Sequence, residues 1–193
     1  MKVKERATKY KSHPKIYTYD DYLELPDDGN RYEIINGELI MVPAPYTIHQ
    51  EVSGNLEFQL RLYIEKEKVG KIYDAPVDVI LSETNVVQPD ISFISNERSA
   101  IITEKNISGA PDVVIEIISP SSAYYDLIEK KELYEKYGVK EYWLVDPKKH
   151  WIEVHVNTDS KFQLHQRCDK EGTIHSVVLA DFDLDLTNIF PVK

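Results

Sequence analysis

An α/β (α+β) domain, with a mixed β-sheet flanked by helices, is the fold class this sequence predicts. Three observations predict it. Val113-Val114-Ile115-Glu116-Ile117-Ile118 is apolar at both alternate sets of positions, the pattern of a strand buried on both faces of a sheet. Residues 47–69 carry Ile48, Val52, Leu56, Leu60 and Tyr63 at helical spacing, the stripe of a long amphipathic helix. Strand-like runs lie on both sides of that helix, so strands and helices must share a core.

The elements follow in order. Thr18-Tyr19-Asp20-Asp21 has the form of a capping box and opens a short helix through Leu25, closed by Pro26. Tyr32-Glu33-Ile34-Ile35 and Leu39-Ile40-Met41-Val42 flank Asn36-Gly37, a pair suited to the positive φ angles of a two-residue hairpin turn. Pro43 and Pro45 end the hairpin. Gly70 is the expected C-cap of the long helix. Strands over 72–81 and 86–94 come next, and Pro89, which has no N–H for a ladder, marks a start, a bulge or an edge in the second. After the 113–118 strand, Ser119-Pro120-Ser121-Ser122 supplies turn and capping chemistry. A helix then runs through Tyr137 to Gly138, and Glu141-Tyr142-Trp143-Leu144-Val145 is a strand stopped by Asp146-Pro147. From Trp151 onward short alternating strands dominate.

At 193 residues the chain suits one domain with a sizeable core, and 42% hydrophobic with 29% charged residues excludes a disordered chain. Residues 1–17 read as a basic, mobile N-terminal arm and 18–193 as the domain. No apolar stretch is long enough to span a bilayer, and a single cysteine, Cys168, suits a reducing compartment, so the expected location is the cytoplasm. The net charge of −10 argues against a broadly basic nucleic-acid coat. Residues 1–15 nevertheless carry a local +5, which either contacts phosphates or is simply solvated.

Two acids stand out. Glu116 interrupts the doubly buried strand, where an ionised carboxylate needs a metal ion, a cationic partner or a raised pKa. Asp90 lies within Val86-Val87-Gln88-Pro89-Asp90-Ile91-Ser92-Phe93-Ile94 and reads either as a turn acid beside a proline or as a second site acid. If the two are neighbours, they form the oxygen-rich cup that Mg²⁺ takes, with water and phosphate completing its shell. Lys130 lies four residues after Asp126 and four before Tyr134, so it is either half of a surface ion pair or a cation pointing back toward the Glu116 strand. Glu38 taken alone is a solvent-facing strand residue. His49, on the flank of the long helix's stripe, is either packed or placed near a phosphate at a helix N-terminus. Asp181, Asp183 and Asp185 alternate with apolar residues as a solvated face does, and His155, His165 and His175 lack zinc spacing. No phosphate-cradling glycine motif, serine elbow or CxxC occurs, so no organic cofactor is expected.

The ordered series Tyr32-Glu33-(x3)-Gly37-Glu38, Pro45-(x3)-His49, Val87-Gln88-Pro89-Asp90, Pro111-Asp112-(x3)-Glu116-(x2)-Ser119-Pro120-Ser121, Asp126-(x3)-Lys130-(x3)-Tyr134 and Gly138-Val139-(x)-Glu141-Tyr142-Trp143-(x2)-Asp146-Pro147 resembles the Uma-two family of restriction endonucleases. That family falls within the PD-(D/E)XK nuclease-like superfamily, and the resemblance spans roughly residues 18–190. It implies a restriction-endonuclease-like fold and Mg²⁺-dependent hydrolysis of DNA phosphodiester bonds, with Mn²⁺ as a possible substitute. Asp90 and Glu116 would be the metal-binding acids. The superfamily's lysine stands two residues after the Glu, where this chain has Ile118, and Lys130 on the following helix is the matching candidate. Glu38 and His49 would complete the rim, and a homodimer would cut both strands. Two other readings stay open: a non-catalytic nucleic-acid-binding or assembly module on the same fold, and a nuclease directed at RNA.

Overall fold

A computed structural model describes residues 15–119 and 125–190. The basic residues up to position 14, the turn residues Pro120-Ser121-Ser122 and the side chain of Asp126 lie outside the described residues. Thr18 caps α1 (Tyr19–Leu23) through the expected reciprocal box with Asp21. Asn36 and Gly37, at φ 52° and 80°, then turn β1 (Arg31–Ile35) into β2 (Glu38–Val42), with Ile35 opposite Glu38. Helix α2 (Thr47–Glu67) buries His49, Val52, Leu56 and Leu60 on one stripe.

Gly70 does not cap that helix. Lys68 takes the left-handed position at φ 55°, and Gly70 begins β3 (Gly70–Asp74), where a Cβ would collide with the Ile94 carbonyl and the Phe93 ring. A close strand approach, rather than a turn, is what requires glycine there. The strand expected over 72–81 is two strands, β3 and β4 (Val79–Ser82). The run 86–94 also divides at Gln88-Pro89-Asp90, into β5 (Asn85–Val87) and β6 (Ile91–Ser95). The remaining elements are β7 (Ile107–Ser108), β8 (Val113–Ile117), a π-helical turn over Tyr125–Lys130, α3 (Lys131–Tyr137), β9 (Glu141–Asp146), β10 (Trp151–Thr158), β11 (Lys161–Asp169), β12 (Thr173–His175) and β13 (Asp183–Asp185).

The mixed sheet runs β11-β10-β9-β8-β6-β3, with β8 and β9 its parallel pair, and a smaller sheet runs β2-β1-β5-β4-β7. The central strand β8 alternates between two cores. Val113, Ile115 and Ile117 pack with Val52, Leu56 and Leu60 of α2, while Val114 packs with Leu133 and Tyr134 of α3 and with Ile35 of the small sheet. Strand period therefore places Glu116 on the face shared by α3 and the small sheet. The aspartates at 181, 183 and 185 are exposed, as a solvated face requires. Among the described residues no helix is long and apolar enough to cross a membrane.

Two further acids are buried for structural reasons. Glu141 accepts from Trp143 Nε1 at 2.5 Å, Ser176 Oγ at 2.8 Å and the backbone N–H groups of Val177 and Val178 at 2.7 and 2.9 Å, which fastens the 176–179 loop to β9. Asp112 accepts from Ser95 N at 2.8 Å and meets Lys140 Nζ at 2.6 Å. Burial alone would raise the Asp112 carboxyl, but Lys140 and the Ser95 N–H outweigh it and hold it below the ordinary 3.8. A depressed folded value means this contribution is complete above about pH 3.8 and is lost as pH falls through the folded value. Asp112→Asn is accordingly expected to lose stability near neutrality, and the deficit should narrow below pH 3.8. Urea melts on both sides of that pH would test this, and a deficit independent of pH would contradict it.

Candidate active site

The break at Pro89 creates the site. As the chain passes from the small sheet to the large one, Asp90 reaches β8 and its Oδ2 accepts the Ile117 N–H at 2.7 Å. The last pair of the β6–β8 ladder is Ile91 with Ile115, so one antiparallel step further puts Asp90 opposite Glu116. Both acids line one cavity of about 40 Å³, together with His49, Lys130, Gln88, Ser119 and Arg31. His49 Nε2 lies 3.2 Å from Asp90 Oδ2. Helix α2 begins beside this cavity, and its first buried side chain is this histidine.

Lys130 is 5% exposed, so a surface ion pair does not describe it. The π turn ends on this residue, where α3 begins, and Nζ lies 2.9 Å from Glu33 Oε1 and 3.2 Å from Glu116 Oε1. One turn on, Tyr134 donates from its hydroxyl to the same Glu116 oxygen at 2.6 Å. Burial first, and then the Glu116 charge, push the Tyr134 phenol well above 10, so it remains a proton donor near neutrality. Such π turns recur where a helix must aim side chains at a site. Here Lys130 and Tyr134 share a face and converge on one carboxylate.

Four of the five expected residues, His49, Asp90, Glu116 and Lys130, line this cavity, and Glu38 does not. Glu38 is exposed at the turn end of β2. The acid that the hairpin does contribute is Glu33, 3% exposed, which also accepts the Gln88 N–H at 2.7 Å. Its signal was present in the sequence, since Tyr32-Glu33-Ile34-Ile35 interrupts an apolar run with an acid just as 113–118 does. His155 is buried between Glu153, at 3.0 Å, and Lys131, at 3.3 Å, while His165 and His175 are exposed.

Among the described residues no group of three or more His, Cys, Asp or Glu side chains gathers as a closed metal shell. The donor set nevertheless fits a hard dication that keeps water ligands. Asp90 commits Oδ2 to the protein while Oδ1 accepts no hydrogen bond among the described residues. Glu33, Asp90 and Glu116 against Lys130 leave a formal −2 before His49 and the rim Arg31 are counted, and the cavity exceeds the roughly 10–15 Å³ that one water needs.

Comparison with known proteins agrees with this architecture. Residues 19–187 match the family model Uma2, described as "Putative restriction endonuclease". The chain belongs to the Uma2 family. Its fold is similar to a solved structure from Anabaena variabilis ATCC 29413, described as "a putative nuclease belonging to DUF820", at a TM-score of 0.74. That match has 20% identity over 90% of this chain and 97% of the other. A rat (Rattus norvegicus) calpain-9 is 24% identical over 100 residues, covering 52% of this chain but only 14% of calpain-9. The short, partial match to calpain-9 carries no argument about function.

Removing Lys130 would take the ammonium from between two buried carboxylates. Lys130→Met is expected to cost about 3–5 kcal/mol, a Tm lower by roughly 6–20 °C for a chain of this size. Adding Glu33→Gln should recover part of the loss. A single variant as stable as wild type by thermal denaturation would show that the ion pairs contribute nothing.

Proposed function

We propose that this Uma2 protein is a divalent-metal-dependent endonuclease that hydrolyses DNA phosphodiester bonds. One observation carries the reading: Asp90 and Glu116, 26 positions apart in the sequence, open onto one small cavity with a buried lysine between acids. The family description supports nuclease chemistry, and the carboxylate chemistry supports Mg²⁺, with Mn²⁺ as a substitute.

Asp90 and Glu116 would hold the ion, which supplies Lewis-acid polarisation of the phosphate when bound. The chain's own groups do the rest. The Ile117 N–H fixes the Asp90 carboxylate, and Tyr134 fixes that of Glu116, so neither acid must reorganise. Lys130 stands where a cation can steady developing negative charge or an attacking water, and Glu33 orients its ammonium. His49 orients Asp90 from the α2 side. A homodimer would present two such cavities to opposite strands, and a reducing cytoplasm suits the single, half-buried Cys168.

A second reading has one specific observation behind it. Lys130 is already engaged by two carboxylates, as a purely structural lysine in a non-catalytic binding module would be. Metal titration separates the two. Asp90→Asn and Glu116→Gln are each expected to lower Mg²⁺-dependent cleavage of plasmid and single-stranded DNA by roughly a thousandfold, the rate equivalent of a few kcal/mol. The circular-dichroism spectrum should not change. Undiminished cleavage by either variant would rule out the mechanism, and a wild-type protein that neither binds Mg²⁺ nor cuts DNA would favour the binding module.

A further inference from the structure

Arg31 opens β1 and has no ion-pair partner among the described residues, although the cavity it borders is lined with acids. It also lines two neighbouring clefts. One, of about 110 Å³, lies beside Asp90, and the other, of about 420 Å³, runs over Tyr22, Tyr32, Asp78 and Gln88. Gln88 belongs to both this larger cleft and the catalytic cavity. Its Nε2 donates to Tyr22 Oη at 3.2 Å and to Asp78 Oδ1 at 2.9 Å, which fixes the amide. Its Oε1 is then buried with no donor among the described residues. Leaving such an acceptor unsatisfied is costly, and an N–H from a ligand would satisfy it.

We infer that the Tyr22–Tyr32–Gln88 cleft receives an unpaired nucleobase of the substrate strand, with Arg31 holding a phosphate between that base and the catalytic cavity. The inference rests on the nuclease reading above and adds a substrate class to it. The cleft falls within the roughly 300–1,000 Å³ typical of small-molecule sites. Tyrosine rings give stacking surfaces that accept any base. Guanidinium is the side chain whose planar fork matches phosphate oxygens, and among the described residues no carboxylate pairs with this one. A base paired within a duplex presents neither of its faces, so the strand must be single, frayed or flapped at this point.

The experiment measures anisotropy of a fluorescent single-stranded oligonucleotide with the full chain in EDTA, which separates binding from cleavage. Arg31→Ala is expected to weaken binding by about tenfold and to reduce the slope of log Kd against log salt by about one. Tyr32→Leu removes a ring whose hydroxyl donates to the exposed Asp28, a bond whose loss costs the fold little. It should weaken binding of an intact strand by about tenfold, yet barely change binding of a strand made wholly of abasic sites. Asp90→Asn removes a negative charge beside Arg31 and should bind at least as tightly as wild type, so loss of cleavage alone bears on the mechanism and not on this subsite. Equal affinity in Arg31→Ala and wild type, equal loss by Tyr32→Leu on intact and abasic strands, tighter binding of the matching duplex, or no binding by wild type would each overturn the inference.

Discussion

Lys130 is the group on which the site's arrangement depends. Its ammonium is withdrawn from water between Glu33 of the small sheet and Glu116 of the large one, so a single cation ties together the hairpin, the central strand and the helix that follows it. Each partner alone would be an expensive buried charge. Together they orient one another, and Tyr134 occupies the same carboxylate oxygen to complete the constraint. Among the described residues Glu33, Asp90 and Glu116 outnumber Lys130, and an acid-rich cavity of this kind favours a bound dication.

Burial of an acid does not by itself mark a functional centre in this molecule. Glu141 is fully buried, yet four donors from the protein satisfy it, two of them backbone N–H groups. Asp112 is likewise buried and answered by Lys140 and Ser95. Glu116 differs because its carboxylate borders a cavity shared with a second acid from another strand. A place on a cavity shared with a second acid, rather than buried charge alone, separates a candidate centre from structural fastening.

The site's place in the fold follows from a local rule. Pro89 cannot donate to a ladder, so the apolar run containing it cannot continue as one strand. The chain leaves the small sheet after β5 and enters the large one at β6, and the acid at the crossing lands beside the central strand. The same crossing carries Gln88, which lines the cavity together with Arg31 of β1. That a solved nuclease-like structure shares this fold at 20% identity shows how much sequence change the architecture tolerates.

Much of this was legible in the residues themselves. The hairpin at Asn36-Gly37, the capping box at Thr18, the stripe of α2 and the doubly apolar strand around Glu116 all follow from short-range rules of turn geometry and periodicity. Those rules do not reach across the sheet. Glu38, which taken alone reads as a solvent-facing strand residue, is exposed, and it is not among the residues lining the cavity, where the resemblance implied a rim place for it. Glu33 carried the same signature as Glu116, and only the packing of two sheets against α3 brought them to one lysine. Gly70 read as a helix cap because the steric demand of Phe93 and Ile94 lies on a strand distant in sequence. Element type was determined locally, by backbone preference and spacing. The meeting of Asp90, Glu116, Glu33 and Lys130 was decided only by tertiary structure, because charge compensation acts through space between groups the chain keeps far apart.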